Sequence, residues 1–330
     1  MWKAMASAQV GDDVYQEDPT MNQLEEIAAE ITGKESALFV PSGTMGNLLA
    51  ILTHCLHGDE IIIGKESHIF LDEAGGAATL GGVTSNILKN QSDGTLCLQE
   101  VEDSIRPDDI HCPRSQLIVL ENTQALTGGN PISSAYTHSL ANLAHMKGLK
   151  LHIDGARIFN AAIALETTVK ALVESADSVT FCLSKGLCAP VGSMLCGETG
   201  FIEKARRKRK QLGAGMRQVG ILAAAGIVAL NQNVERLQED HRRLQLLANG
   251  LKGIAGIELV NNSPKTNMLF FDLEPSIPFS IDEFIDRMKA EGVLLMNEGG
   301  KRRGRLLTHY WISDEDIAFT LRKIKTVMHR

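Results

Sequence analysis

Short apolar runs alternate with helical patterns along most of the chain, and this alternation constrains the fold more than any other feature. Residues 60–63, 116–120 and 150–154 are short runs rich in branched aliphatic side chains. Between them lie segments with helical spacing, such as 133–147, which ends at Gly148. Strands that alternate with helices indicate βαβ units, and continuous apolar runs indicate strands buried on both faces. The pattern therefore predicts an α/β fold with a mostly parallel sheet sandwiched by helices.

The same reasoning extends over the first 235 residues. Further strands are predicted at 37–40, 83–88, 178–183 and 191–196. Further helices are predicted at 22–31, 44–57 and 67–80, and helices dominate from 201 to 251.

The pattern changes beyond Gly253. Strands are predicted at 257–260, 268–273, 293–296 and 305–308, with helices between and after them. A chain of 330 residues is long enough for one large domain and a smaller one. We therefore expect a large domain over 1–235 and a small C-terminal α+β domain over 236–330.

Composition limits the possible partners. Hydrophobic residues make up 44% and charged residues 22%, as in ordinary globular proteins, and a net charge of −7 argues against broad nucleic-acid binding. The basic run 204–210 opposes this, and we interpret it as a solvated helix face, with a patch that meets a phosphate or an acidic neighbour as the alternative.

The cysteines and the apolar runs bear on location. None of the six cysteines forms a CxxC pair, and no Cys/His set has zinc-like spacing, so we expect free thiols, no metal site and a reducing compartment. The longest apolar run, 220–230, is too short to span a membrane, and the first residues lack a signal-peptide core. The sequence predicts a cytoplasmic protein that does not bind membranes.

Two motifs follow predicted strands, where ligands gather in open α/β sheets. PSGTMGN at 41–47 begins a helix, and its small residues, among them Gly43 and Thr44, would allow an anion to bind at the helix N-terminus. The alternative is purely structural, because a strand-to-helix turn needs glycine in any case. DGAR at 154–157 places Asp154 directly after an apolar strand. Asp154 and Arg157 form either a structural pair or a site in which Asp154 faces a cationic ring nitrogen and Arg157 a substrate oxygen.

Two single residues complete the set. Lys185 lies between an apolar strand and Gly186, with Ser184 before it, and a buried lysine is a nucleophilic amine; the alternative is a lysine that extends to solvent. His68 follows the strand at 60–63 and is either structural or able to stack on a flat ring or move a proton. An anion site, a stacking histidine, a carboxylate and a lysine nucleophile together are what pyridoxal phosphate requires.

Several motifs resemble those of one family. These are GDDVY at 11–15, PSGTMGN at 41–47, EAGGA at 73–77, LHIDGAR at 151–157, LSKGL at 183–187, GMRQ at 215–218 and RLLTH at 305–309. The chain resembles the low-specificity L-threonine aldolases, which are fold-type-I pyridoxal-phosphate enzymes, over nearly its whole length. The resemblance implies cleavage of L-threonine or L-allo-threonine to glycine and acetaldehyde, a role in threonine catabolism and glycine biosynthesis, and a homotetramer, a dimer of dimers with sites at subunit interfaces.

The resemblance also implies residue roles. Lys185 would hold the cofactor covalently, Asp154 would pair with its ring nitrogen and His68 would stack on the ring. The phosphate would be bound by Gly43, Thr44 and Ser184. The substrate carboxylate would be held by Arg157 and Arg305, and Arg217 would reach a neighbouring subunit's site.

Two differences from the family matter. Members usually begin with a segment resembling DLRSDTVTRP, which carries a serine near the substrate carboxylate, whereas this chain begins MWKAM. Where the family typically has a histidine near the β-hydroxyl, this chain has Gln124, which can hydrogen-bond but cannot take a proton. Cofactor binding should survive both differences. Three hypotheses stay open: an active aldolase, another pyridoxal-phosphate lyase or aminotransferase, and a shortened, inactive member that keeps the fold.

Overall fold

A computed structural model of the chain describes residues 1–260 and 263–329, and it divides into two compact units. The first unit comprises Met1–Thr127 and Pro131–Glu235, and the second comprises Gly128–Asn130 and Arg236–Arg330. Each unit has its own sheet. In the described part of the chain, no helix combines the length and the apolar character that crossing a membrane requires.

The first unit is an α/β structure. Its strands are β1 Ser36–Val40, β2 Glu60–Gly64, β3 Thr84–Leu88, β4 Ser115–Glu121, β5 Lys150–Asp154, β6 Ser178–Cys182 and β7 Ser193–Gly197. Its helices are α1 Trp2–Ala6, α2 Pro19–Thr32, α3 Gly43–His54, α4 His68–Leu71, α5 Gly76–Gly81, α6 Leu98–Ser104, α7 Ser134–Met146, α8 Ile158–Ala164, α9 Val169–Val173, α10 Thr199–Gln211 and α11 Gly220–Gln232, with a 3₁₀ turn at Asp13–Tyr15.

The sheet of the first unit explains where a site can form. Among the described residues it has seven strands in the order β1-β7-β6-β5-β4-β2-β3, and only β7 runs against the others. This confirms the predicted mostly parallel sheet. Glu121 and Asp154 face each other in register at the ends of β4 and β5. The chain segments after β1, β2, β4, β5 and β6 therefore meet at one edge of the sheet.

The second unit is an α+β structure around its own core. Its elements are α12 Leu237–Leu251, β8 Ile257–Leu259, β9 Met268–Leu273, α13 Ile281–Ala290, β10 Met296–Asn297, β11 Arg303–Leu307 and α14 Asp314–Met328. The strands pair antiparallel in the order β10-β11-β9-β8. Leu247 of α12, Phe271 of β9, Phe284 of α13 and Ile324 of α14 share one buried cluster. Packing of the apolar face of each helix on the sheet stabilises this unit.

Two predicted elements are wrong in part. The helix predicted at 67–80 is two short helices, α4 and α5, because Ala74 and Gly75 between them take positive φ angles of 53° and 67° that end a right-handed helix. The strand predicted at 293–296 forms only at Met296–Asn297. Leu294 is 79% exposed, so the apolar run there is not buried in a sheet.

Four short helices were not predicted from the sequence pattern. They are α1 Trp2–Ala6, α6 Leu98–Ser104, α8 Ile158–Ala164 and α9 Val169–Val173. Each has seven residues or fewer, which is two turns at most and too short to show a helical period clearly.

The basic run 204–210 lies in α10; its exposed residues Lys204, Arg207 and Lys210 agree with a solvated face, but two of its arginines meet acidic neighbours, the alternative given above. Arg209 is 3% exposed; its guanidinium donates to the Asp13 carboxylate at 2.8 Å and to the carbonyl of Phe39 at 2.7 Å. Arg206 donates to Glu25 at 2.6 Å. A buried guanidinium must be paired, since removing one partner leaves an uncompensated charge. These arginines therefore fasten α10 to β1 and α2.

Asp18 joins three segments of the first unit. Its carboxylate is fully buried and caps α2 by accepting the Met21 N–H at 2.9 Å. It also accepts the N–H of Gly220 at 2.8 Å and that of Gly11 at 3.2 Å. A Cβ at Gly220 would lie 2.4 Å from Asp18 Oδ1, closer than any real contact. The glycine at the start of α11 is thus required by close approach.

Gly220→Ala separates this constraint from helix propensity. Propensity alone favours alanine by up to about 1 kcal/mol, whereas the clash with a held carboxylate should lower the free energy of unfolding by about 1–3 kcal/mol. Denaturant unfolding measures whether the substitution lowers or raises the free energy of unfolding. Gly200→Ala in α10, where a Cβ meets nothing within 4 Å, is the matched control and should be neutral or stabilising. A stabilised Gly220→Ala would contradict the close approach.

Candidate active site

A cavity of about 230 Å³ opens in the first unit at the carboxyl edge of its sheet. The segment after β1, the end of β5, the segment after β6 and the α4 region all contribute to it. Its lining residues are Pro41, Ser42, Gly43, Thr44, Asn47, His68, Glu73, Asp154, Ala156, Cys182, Ser184 and Lys185. Six of the predicted site residues, Gly43, Thr44, His68, Asp154, Ser184 and Lys185, are therefore brought together.

The start of α3 forms one wall of the cavity. Ser42 caps this helix by accepting the Met45 N–H at 3.2 Å. A Cβ at Gly43 would lie 2.9 Å from Cys182 Sγ, so a larger residue there would have to displace the Cys182 side chain at the end of β6. Gly43 and Thr44 thus present the first N–H groups of a twelve-residue helix, whose N-terminus favours an anion such as a phosphate.

Asp154 lies at the back of the cavity and is 3% exposed. Its Oδ2 accepts from the Asn47 amide at 2.9 Å, and its Oδ1 accepts from the Ala156 N–H at 3.1 Å. A buried carboxylate that has only neutral donors as partners suits a cationic group in the cavity. Lys185 follows β6, is half-buried and lines the same space.

His68 and Glu73 form a pair that the sequence pattern did not indicate. His68 Nδ1 lies 3.1 Å from Glu73 Oε1, and this hydrogen bond raises the pKa of His68. Burial raises the pKa of Glu73 in turn. One donor atom of each of His68, Glu73 and Asp154 lies within 4.8 Å of the others. Atoms this close are also able to hold a metal ion, so the absence of a metal site stays a prediction.

Glu121 is a second carboxylate that sequence reasoning missed. It is 6% exposed; Oε2 accepts the His68 N–H at 2.9 Å and Oε1 accepts the Ala125 N–H at 2.9 Å. Burial, followed by the negative charge of Asp154, raises the pKa of Glu121 to about 7. The carboxyl group therefore fixes the start of α4, and with it the backbone of His68, to the end of β4.

The remaining predicted site residues lie outside the described lining of this cavity. Gln124 is 1% exposed; its amide donates to the Glu66 carbonyl at 2.6 Å and accepts from the Thr127 N–H at 2.8 Å. Arg157 precedes α8, next to the cavity residue Ala156. Arg217 lies on the surface, 58% exposed, and is paired with Asp12 at 2.6 Å.

Arg305 belongs to the second unit. It lies on β11, and its guanidinium is paired with Glu298 at 2.9 Å. Its side chain is 17% exposed, so this ion pair is largely screened from water within that unit.

The cavity fits pyridoxal phosphate by the chemistry of its walls. The helix N-terminus at Gly43 suits the phosphate charge, a buried carboxylate suits a protonated ring nitrogen, and a lysine amine suits the aldehyde carbon. With the mostly parallel seven-stranded sheet and its helices, these walls define a fold-type-I pyridoxal-phosphate enzyme.

Comparisons with known proteins narrow this class. A family model described as beta-eliminating lyase matches residues 1–274. Low-specificity L-threonine aldolase 1 of Arabidopsis thaliana is 47% identical over 97% of this chain and 90% of that protein, and the low specificity L-threonine aldolase of Escherichia coli K12 is 45% identical over 96% and 92%. The chain therefore belongs to the beta-eliminating lyase family, among the low-specificity L-threonine aldolases.

A solved structure agrees on the fold. The crystal structure of a putative L-allo-threonine aldolase from Listeria monocytogenes superposes with a TM-score of 0.81 and covers 99% of this chain and 93% of that one. At 19% identity, this likeness supports the fold alone.

Glu73→Gln should lower the pKa of His68, because the hydrogen bond to Glu73 is the main cause that raises it above 6.5. The raised pKa of His68 also makes the stability of the fold depend on pH. A histidine with a raised native pKa stabilises the fold fully below about pH 6.5, and this contribution is lost as pH rises through the native pKa. An NMR titration of the cofactor-free protein, with His68 assigned from His68→Asn, measures the shift.

Glu66→Gln is the matched control for this titration. It removes a carboxylate two residues from His68 that is not its hydrogen-bond partner, so it should leave the pKa of His68 nearly unchanged. Equal shifts in Glu73→Gln and Glu66→Gln would show that net charge, rather than the hydrogen bond, sets the pKa.

Proposed function

We propose that the protein cleaves L-threonine and L-allo-threonine to glycine and acetaldehyde with pyridoxal phosphate bound in the cavity. The observation that carries this proposal is the convergence of Asp154, Lys185 and the α3 N-terminus on one cavity, in a chain 47% identical to an L-threonine aldolase. When bound, the cofactor draws electrons from the bond between the substrate's α and β carbons.

Each cavity residue then has a task. Lys185 Nζ would hold the cofactor covalently, and Asp154 would accept a hydrogen bond from its ring nitrogen and favour the protonated form of that nitrogen. The N–H groups of Gly43 and Thr44, with the Ser184 hydroxyl, would bind the phosphate. The His68 ring would stack on the cofactor.

His68 is also the proposed proton acceptor for the β-hydroxyl group. Its Nδ1 is engaged by Glu73, which leaves Nε2 for proton exchange. A raised pKa makes the imidazole a stronger base. Gln124 cannot take a proton, and its amide is already bonded to the backbone at Glu66 and Thr127. The base therefore need not be supplied by residue 124.

Three arginines complete the proposal. Arg157 and Arg305 bind the substrate carboxylate, and Arg217 contributes to the site of a neighbouring subunit. A guanidinium suits this work because its planar N–H groups match both carboxylate oxygens.

The test is aldehyde release from L-threonine and L-allo-threonine in the presence of pyridoxal phosphate. Lys185→Ala should lower turnover by at least about a thousandfold, because it removes the covalent attachment. Lys170→Ala, at an exposed lysine of α9, is the control and should keep full activity. A folded protein that binds the cofactor but releases no aldehyde would favour another lyase, an aminotransferase or an inactive family member.

Assembly and location are part of the same proposal. Exposed apolar side chains in the first unit, such as Trp2 at 80% and Leu80 at 52%, support a homotetramer of the 35.8 kDa chain. Six free cysteines support a reducing location, the cytoplasm. Sedimentation equilibrium tests the homotetramer, and a monomer would contradict it. Cell fractionation tests the location, and a protein found in an oxidising compartment would contradict it.

A further inference from the structure

A line of buried polar side chains runs from Asp154 away from the cavity, and the proposed chemistry does not use it. Asn47 donates to Asp154 at 2.9 Å, and Asn47 Oδ1 lies 3.2 Å from His152 Nε2. His152 Nδ1 lies 2.9 Å from Ser178 Oγ, which lies 2.8 Å from His54 Nε2. Asn47, His152 and Ser178 are at most 2% exposed. We call these four residues, Asn47, His152, Ser178 and His54, the relay.

The donor and acceptor of each hydrogen bond in the relay can be assigned, starting from Asn47. Its Nδ2 donates both to Asp154 Oδ2 and to Glu73 Oε1, each at 2.9 Å. Its Oδ1 therefore faces His152, and an amide oxygen is only an acceptor. The hydrogen between them must belong to His152 Nε2.

The rest of the relay follows from that hydrogen. A neutral imidazole with its hydrogen on Nε2 has an acceptor at Nδ1, so the Ser178 hydroxyl donates to His152. The Ser178 oxygen is then free to accept from His54 Nε2. Burial lowers the pKa of His152 to about 3 and that of His54 to about 4, which agrees with two neutral rings. His54 is held in place by stacking on Phe201 at 4.4 Å.

We propose that His152 is a positioning residue: through its Nε2 hydrogen it holds the Asn47 amide with both N–H groups on Asp154 and Glu73, and so keeps Asp154 aimed at the cofactor's ring nitrogen. Without that hydrogen, Asn47 can rotate and turn its oxygen toward two carboxylates, an arrangement that leaves them without donors. The positioning role of His152 rests on the proposed function, whereas the assignment of donors and acceptors in the relay does not depend on it.

The first test uses the cofactor-free protein with ¹⁵N-labelled histidines. NMR should find His152 neutral with its hydrogen on Nε2 from about pH 6 to 8, well above its lowered pKa. His152→Gln identifies its signals. A hydrogen on Nδ1, or a ring that is charged in this range, would overturn the proposal whether or not the protein cleaves threonine.

The second test is titration of cofactor-free protein with pyridoxal phosphate, followed by absorbance. His152→Leu removes the donor and should weaken binding about 10- to 100-fold, the usual effect of losing a residue that orients a ligating group. His152→Gln keeps one donor and one acceptor and should recover affinity to within about threefold of the natural protein. Equal affinity of His152→Leu and the natural protein would overturn the proposal.

Ile153→Val controls for a merely structural effect. Ile153 is adjacent on β5, fully buried and on the opposite face of the sheet, so this variant perturbs the strand without touching the relay. Its cofactor affinity should match that of the natural protein. If His152→Leu, His152→Gln and Ile153→Val all weaken binding alike, the relay only supports packing. Tight cofactor binding without aldehyde release would instead count against the proposed function alone.

Discussion

The Asn47 amide donates both of its N–H groups to buried carboxylates, and the organisation of the site depends on this bridge. Asp154 and Glu73 are 3% and 7% exposed, with oxygens within 4.8 Å of each other. Two full charges at that separation repel by on the order of 3 kcal/mol at an effective dielectric constant of about 20. Hydrogen bonds to charged groups contribute about 1.5–3 kcal/mol each, enough to offset the repulsion. The bridge also joins α3, β5 and the α4–α5 connection at one point.

Burial, and after it the negative charge of Asp154 across the bridge, raises the pKa of Glu73, which shares a hydrogen bond with His68. Glu121 fixes the backbone of the same histidine. A ring that is held through its backbone and through one nitrogen has little freedom, so the position of His68 is set before any substrate binds. Burial of these carboxylates destabilises the fold, but Glu73 and Glu121 also fix the position of His68, the only histidine among the described residues that line the cavity.

Sequence alone predicted the part of this site that depends on position along the strands. Lys185, Asp154 and Gly43 each follow an apolar run, and the ends of parallel strands meet at one edge. Glu73 and Asn47 were not assigned roles, because their hydrogen bonds join residues 26 and 107 positions apart, which no local pattern shows. The sequence pattern could have indicated Glu121, because it ends an apolar strand as Asp154 does.

The partial errors in the fold have a related cause. The period of residues 67–80 fits a helix, but the left-handed backbone at Ala74 and Gly75 divides it, and a non-glycine residue in that conformation is rarely foreseen from sequence. Arg209 looked solvated because its partner Asp13 is 196 positions away. In both cases tertiary contacts outweighed a local pattern that was otherwise sound.

The distribution of roles in the cavity bears on how one fold serves both elimination and aldol cleavage. Lys185, Asp154 and the α3 N-terminus contact only the cofactor in our proposal, and all such enzymes need groups of this kind. They cannot decide which substrate bond breaks. Aldol cleavage also needs a proton acceptor for the β-hydroxyl group, which elimination does not require. In this chain the histidine that suits the task is bound to Glu73, and Glu73 is bound to the bridge that holds Asp154. In the proposed function, the hydrogen bonds of the Asn47 amide therefore connect the proton acceptor with the carboxylate that serves the cofactor.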